Sequence, residues 1–263
     1  MSRLIAIASG KGGVGKTCLS IGLAQALAQR GREVVLVDGD LGLANVDVQL
    51  GLNPAADLAG VLAGQVPAEV ALIAHPAGFR VLAGRSGDGR LAALGENGMG
   101  ALLELLRRLP GDDILLDLGA GLGPVQRGLA AAADLLLVIA TEEPTSLTDA
   151  YAVLKLHRRD APGGQAGLVV NLASGAAQAA RVHAALDAAC RSFLGAGVAL
   201  LGAVRRDGRV PAAIRAQQPL LTRYPNTSAA EDLRALAGAL PDGLGFPSMR
   251  EQRSPWVSPP PRT

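Results

Sequence analysis

Ser9-Gly10-Lys11-Gly12-Gly13-Val14-Gly15-Lys16-Thr17 follows a short apolar run, Leu4-Ile5-Ala6-Ile7-Ala8. An apolar strand, a glycine loop and a helix start, in that order, hold nucleotide phosphates. Gly10, Gly15, Lys16 and Thr17 meet the spacing G-x-x-x-x-G-K-[ST]. Glycines let the backbone turn tightly with its N–H groups aimed inward. Lys16 is a point charge for the β- and γ-phosphates, and the Thr17 hydroxyl is a ligand for magnesium. The helix that begins here adds the positive end of its dipole. The chain has three lysines, Lys11, Lys16 and Lys155, and two of them sit in this loop. That concentration and the flanking strand disfavour the bland alternative, a flexible glycine turn.

A chain of 263 residues suits one α/β domain with a sizeable core. Apolar residues make up 49% and aromatics 2%. The core is therefore expected to be Leu, Val, Ile and Ala, which suits buried parallel strands. A net charge of +2 gives no strong pull toward nucleic acid. Cys18 and Cys190 lie far apart, which argues against a disulfide framework or a zinc site within one chain. Cys18 falls in the first helical turn, where a thiolate is favoured, but a small residue packed under the loop is the preferred reading. His75, His157 and His183 show no triad or metal spacing and read as surface or partly packed residues. No signal peptide is visible, and no run approaches the ~20 apolar residues of a membrane span. The expected compartment is the cytoplasm.

Strand and helix patterns alternate along the chain. Helices are expected at Cys18 to Gln29 (with Leu19, Leu23, Ala26 and Leu27 on one face), within Gly87 to Leu109 (best from Met99), and at Pro124 to Ala133. Others are expected at Ser146 to Arg159, Ala176 to Leu194, Val210 to Gln217 and Ser228 to Leu240, with Ser146/Asp149 and Ser228/Glu231 spaced as capping pairs. Strands are expected at Glu33 to Val37, Phe79 to Ala83, Asp113 to Asp117, Leu135 to Ala140, Gly167 to Asn171 and Val198 to Val204. The order implies an α/β fold: a doubly wound, mostly parallel sheet with helices on both faces, of phosphate-loop NTPase type. Ligands of such folds bind at the carboxyl ends of the strands. Residues 1–240 form the expected domain. Six of the last 23 residues are proline, so 241–263 reads as a disordered or extended tail.

Asp38 and Asp40 lie two apart at a strand end, where an extended backbone puts both side chains on one face, toward the loop. Paired carboxylates there suit magnesium through water and the orientation of an attacking water; a solvated acidic turn is the alternative. Asp117 closes the run Ile114-Leu115-Leu116, where a second magnesium-side carboxylate is expected. Gly119-Ala120-Gly121 follows, and small residues there let a backbone N–H approach a γ-phosphate and move when it leaves; a simple strand-to-helix turn is the alternative. Arg158-Arg159 and Arg205-Arg206 are expected to form solvated basic faces rather than a DNA site.

Lys11-Gly12-Gly13-Val14-Gly15-Lys16-Thr17 resembles the deviant phosphate loop of the MinD/ParA ATPase family. Several further stretches are similar to the branch of flagellar number regulators (FlhG, also called FleN or YlxH). These are Asp38-Gly39-Asp40-Leu41-Gly42-Leu43-Ala44-Asn45-Val46-Asp47, Asp117-Leu118-Gly119-Ala120-Gly121, Glu143-Pro144-Thr145-Ser146-Leu147-Thr148-Asp149-Ala150-Tyr151 and Ala213-Ile214-Arg215-Ala216-Gln217-Gln218-Pro219. The likeness spans about residues 3–240. It implies a magnesium-dependent ATPase, slow in turnover, that forms a homodimer with ATP and dissolves it on hydrolysis. The residues from Gly10 through Cys18 would hold the nucleotide. Lys11 would reach the partner subunit's nucleotide, Asp40 would support water activation, and Asn171, Arg206 and Asp207 would lie at the base. Asp38, Asp40, Asn45, Asp117, Gly119 and Gly121 would switch with the nucleotide.

Partners implied are a flagellar GTPase, switch or C-ring proteins, or a flagellar transcription regulator, with no specific nucleic acid. Arg205 stands where the family's base-contacting segment carries proline. The N-terminal extension of flagellar relatives is not expected, since the first strand begins near residue 3. Peripheral attachment at the membrane or a cell pole is a family property, but the proline-rich tail does not support it by the usual basic amphipathic helix. Competing readings are a DNA-partition or division-site ATPase, a scaffold that no longer turns over, and a cellulose-synthesis accessory ATPase.

Overall fold

The computed structural model describes residues 2–40, 42–84 and 96–240. One eight-stranded sheet runs through them in the order β3-β4-β2-β5-β1-β6-β7-β8. Its strands are β1 (Arg3–Ala8), β2 (Val34–Gly39), β3 (Leu72–Ala74), β4 (Arg80–Leu82), β5 (Asp113–Leu118), β6 (Leu135–Ala140), β7 (Ala166–Ala173) and β8 (Ala199–Arg205). All neighbours are parallel except β3 and β4. The three-residue edge strand β3 was not expected from the sequence, because so short a stretch carries no alternation to read.

Runs such as Val34-Val35-Leu36-Val37 and Leu135-Leu136-Leu137-Val138-Ile139 are buried along their whole length, as strands covered on both faces require. Successive side chains divide between two cores. Leu4, Ala6, Ile114 and Leu116 enter one, while Ile5, Ile7, Leu36 and Leu115 enter the other. The first core is closed by α3 (Leu58–Leu62), α5 (Glu96–Arg108), α6 (Pro124–Ala132), α7 (Pro144–Asp160) and α8 (Ala176–Leu194). The second is closed by α1 (Lys16–Ala28), α2 (Val46–Leu50), α9 (Arg209–Arg215), α10 (Leu220–Arg223) and α11 (Ser228–Ala239). The short α4 (Ala68–Ala71) leads into β3. Each fully buried Leu or Ile contributes about 1.5–3 kcal/mol of transfer free energy.

Four expectations are corrected. Residues Leu19 to Leu27 of α1 are buried without a break, so this helix has no solvent face; it is wedged against the sheet with α11 across it. Helix α7 starts at Pro144, and Ser146 lies inside its first turn, where Oγ accepts from Thr141 N at 3.0 Å instead of capping. Proline at the first helical position moved the start upstream. The cap of α11 is Thr227, whose side chain accepts from Ala230 N, one residue before the expected Ser228. Finally, Arg158 and Arg205 do not form solvated faces. Arg158 donates to the carbonyls of Ala196 and Gly197 at 2.7 and 2.6 Å, and Arg205 forks onto the buried Asp232 at 2.8 and 2.9 Å.

The expectations for Leu41, for 241–263 and for the start of the Gly87 to Leu109 stretch fall outside the described residues. Among the described residues no helix is long and apolar enough to cross a membrane.

Candidate nucleotide-phosphate site

Strand β1 lies between β5 and β6, so the chain winds outward from it in both directions. A crevice opens at the carboxyl end of such a strand. The loop 9–15 leaves β1 there and turns into α1. Gly13 (φ 79°) and Gly15 (φ 85°) adopt the left-handed conformation, and Gly15 is the N-cap of α1. Gly10 is needed for another reason. A Cβ there would lie 2.6 Å from Asp149 Cβ and 2.8 Å from Asp149 O of α7. Ser9 Oγ donates to Lys11 O at 2.6 Å, and Gly121 N donates to Ser9 O at 3.1 Å, tying the loop after β5 to the start of the phosphate loop.

Lys16, Asp40 and Asp117 converge at this point. Burial lowers the pKa of the Lys16 ammonium, while Asp117 and Asp40 act to restore it. Asp117 is buried at the end of β5, accepts from Ser20 Oγ at 2.9 Å and is hydrogen-bonded by the Thr17 side chain. Burial pushes its carboxyl up to about 6, against those hydrogen bonds and Lys16. Burial and then Asp117 push the thiol of the partly buried Cys18 up to about 11, away from the thiolate that a helix start favours.

Asp38 and Asp40 are not a matched pair. β2 ends at Gly39, so Asp40 has left the extended backbone. Asp38 is 1% exposed and turns into its own loop, accepting from Asp40 N at 3.1 Å, Asn45 N at 2.8 Å and Val46 N at 2.9 Å. Burial pushes it up to about 7 despite the opposing backbone bonds, and Asp117 adds to the rise. Asp117 is its register partner across β2 and β5, so the close carboxylate pair is Asp38 with Asp117. Asp40 is half-buried, and its Oδ1 accepts from Leu43 N at 3.0 Å. A Cβ on Gly119 would lie 3.0 Å from that same oxygen.

Lys11, Arg206 and Asp207 stand further out, whereas Asn171 is buried against the loop. Lys11 Nζ meets Glu143 Oε2 at 2.5 Å and Thr145 Oγ1 at 3.1 Å at the start of α7. Asn171 donates from its side-chain amide to Val14 O at 2.7 Å, so it supports the loop from β7. Arg206 is exposed; Asp207 accepts from Arg209 N at 2.9 Å, and the two follow β8 beside that strand end. Gly12 and Gly13 are exposed on the loop's outer side. Sequence reasoning missed Ser20, Asp149 and Gln126. Ser20 follows the loop on α1 but meets Asp117 only through the packing of α1 on β5, Asp149 reaches Gly10 from α7 although its sequence pattern reads as a cap, and Gln126 is brought in by α6.

Residues 5–220 match the model of the CobQ/CobB/MinD/ParA nucleotide binding domain. The chain belongs to the MinD/ParA family. It is 35% identical over 237 residues to the antiactivator FleN of Pseudomonas aeruginosa, covering 89% of this chain and 85% of FleN. It is 27% identical over 244 residues to the flagellum site-determining protein YlxH of Helicobacter pylori, covering 91% of this chain and 82% of YlxH. Among solved structures it resembles the septum site-determining protein MinD of Pyrococcus horikoshii complexed with Mg-ADP, at a TM-score of 0.74 and 26% identity. That likeness covers 90% of this chain and 95% of MinD. The eight-stranded, mostly parallel sheet with its deviant phosphate loop is thus the architecture of this MinD/ParA chain.

Proposed function

We propose that this MinD/ParA protein is an ATP-binding and ATP-hydrolysing switch that dimerises with ATP and sets flagellar number or placement through protein partners. The observation that carries the reading is the convergence of Lys16, Thr17, Asp40 and Asp117 at the mouth of a glycine loop in the left-handed conformation. The 35% identity to FleN over most of both chains supports the flagellar branch.

The residues fit a magnesium–nucleotide group. The α1 N-terminus has no side-chain cap and no acidic residue in its first turn, which suits an anion. No cluster of three metal-ligating side chains occurs among the described residues. A magnesium ion held by phosphates, one hydroxyl and water needs none. Thr17 would ligate the ion, with Asp38 and Asp117 behind its waters. The ion would supply charge neutralisation at the β- and γ-phosphates. Lys16 holds the β- and γ-phosphates, and Asp40 takes a proton from the attacking water. Lys11 leaves Glu143, an exposed ion pair whose loss costs little, to reach the partner subunit's nucleotide. Asn171, Arg206 and Asp207 border the base.

Light-scattering mass and ATP turnover test this reading. A doubling of mass with Mg-ATP but not with Mg-ADP is expected, together with steady phosphate release. Lys16→Gln is expected to lose nucleotide binding by at least about 100-fold, because a half-buried charge assigned to the phosphates is removed. No nucleotide-dependent change in mass, or affinity for ATP indifferent to magnesium, overturns it.

A further inference from the structure

Gln126 is the third residue of α6, whose N-cap is Gly123 and whose first residue is Pro124. At that position the side-chain oxygen is directed back toward the N-cap N–H. A Cβ on Gly123 would lie 2.6 Å from Gln126 Oε1, consistent with that direction. The other end of the amide faces Gly119. A Cβ there would lie 3.3 Å from Gln126 Nε2 and 3.0 Å from Asp40 Oδ1. Gly119 has no side chain, so an N–H donor and a carboxylate that already accepts from Gly42 N and Leu43 N at 3.3 and 3.0 Å both approach its open face. That face is tied to the phosphate loop by the Gly121 N to Ser9 O bond of 3.1 Å.

We propose that Gln126 is a further catalytic residue, which with Asp40 holds the attacking water over Gly119. The proposal rests on the ATPase reading above. A carboxylate alone fixes one hydrogen of a water and leaves it free to rotate about that bond. A donor on the opposite side takes one lone pair and aims the other, and such orientation lowers the barrier without new covalent chemistry. In the step, the water oxygen bonds to the γ-phosphorus while the bond from that phosphorus to the β–γ bridging oxygen breaks. ADP leaves with the electron pair, and the water's proton passes to Asp40.

Glutamate at 126 keeps the oxygen that serves the N-cap and removes the N–H donor, so Gln126→Glu separates the catalytic role from capping. The expected result is a fall in kcat of about 10- to 100-fold, with KM for ATP, ADP affinity and thermal midpoint unchanged. The affinity gain for aluminium fluoride added to the ADP complex is expected to be lost as well, and Gln126→Leu is expected to lose kcat to the same extent. Wild-type turnover in Gln126→Glu overturns the proposal. So does a Gln126→Glu variant whose stability and ADP affinity fall in parallel with kcat, since that variant keeps the capping oxygen. A wild-type chain that releases no phosphate overturns the ATPase reading itself, a separate outcome.

Discussion

Gly10 has no left-handed φ, and its requirement for glycine comes from the backbone of Asp149 across the loop. Gly10→Ala puts a carbon against main chain, which cannot rotate away as a side-chain tip can. The expected outcome is a folded protein whose loop is displaced, with ATP affinity at least about 10-fold weaker because misplaced donors lose their charge-assisted bonds. Nucleotide titration alongside circular dichroism checks this. His157 offers a test by pH. It is 3% exposed, and neither ring nitrogen makes a well-formed hydrogen bond, although the Gln165 backbone lies near enough to favour the charged form. Burial is the largest influence and lowers its pKa below 6.5. The unfolded chain therefore binds this proton first as pH falls, and stability drops from about 6.5 down to the lowered value. Asp38 and Asp117, raised to about 7 and about 6, act oppositely, stabilising the fold as pH falls through the same range. The informative quantity is thus the difference between wild type and His157→Leu. The variant's urea midpoint, relative to wild type, is expected to rise between pH 7.5 and pH 5.5.

Elements differ in how far their own sequence sets them. The glycine loop and the strands around it are legible because their demands are local: φ sign, close phosphate approach, a run of branched apolar residues. Helix starts were less so, since Ser146 and Ser228 both fit a cap pattern and neither is the cap. Thr227 is the residue whose oxygen meets a helix N–H, and Thr227→Ala is expected to destabilise the protein by about 1 kcal/mol. Denaturant melts at constant m-value measure it; Ser228→Ala serves as the contrast and is expected to change little. Helix α1 shows why apolar spacing misleads for a buried element. Its polar residues are inside too: Ser20 bonds Asp117 at 2.9 Å and Gln25 bonds Thr222 at 2.7 Å.

At the scale of the whole molecule, the phosphate loop, the loop after β2 and the loop after β5 open on one edge of the sheet, with Lys11 and Glu143 on its surface. A second copy meeting that edge would bring the partner's Lys11 to the nucleotide. Lys11→Ala is therefore expected to remain monomeric with ATP, and Asp40→Ala to stay dimeric for as long as ATP is supplied, with turnover reduced about 100-fold or more. Sizing in ATP separates them: a stable ATP dimer of Lys11→Ala removes the cross-subunit role, and normal dissociation of Asp40→Ala removes the role given to Asp40.

The sequence by itself determined the doubly wound fold and the phosphate loop, because glycine placement and strand burial are written in consecutive residues. Only the tertiary structure decided how the acids are arranged. The register of β2 against β5 sets Asp38 beside Asp117, and the bend after Gly39 releases Asp40 toward Gly119. Gln126 joins them only through the packing of α6. Such neighbours are distant along the chain, and their meeting is fixed by strand register and helix packing, which leave no mark in local spacing.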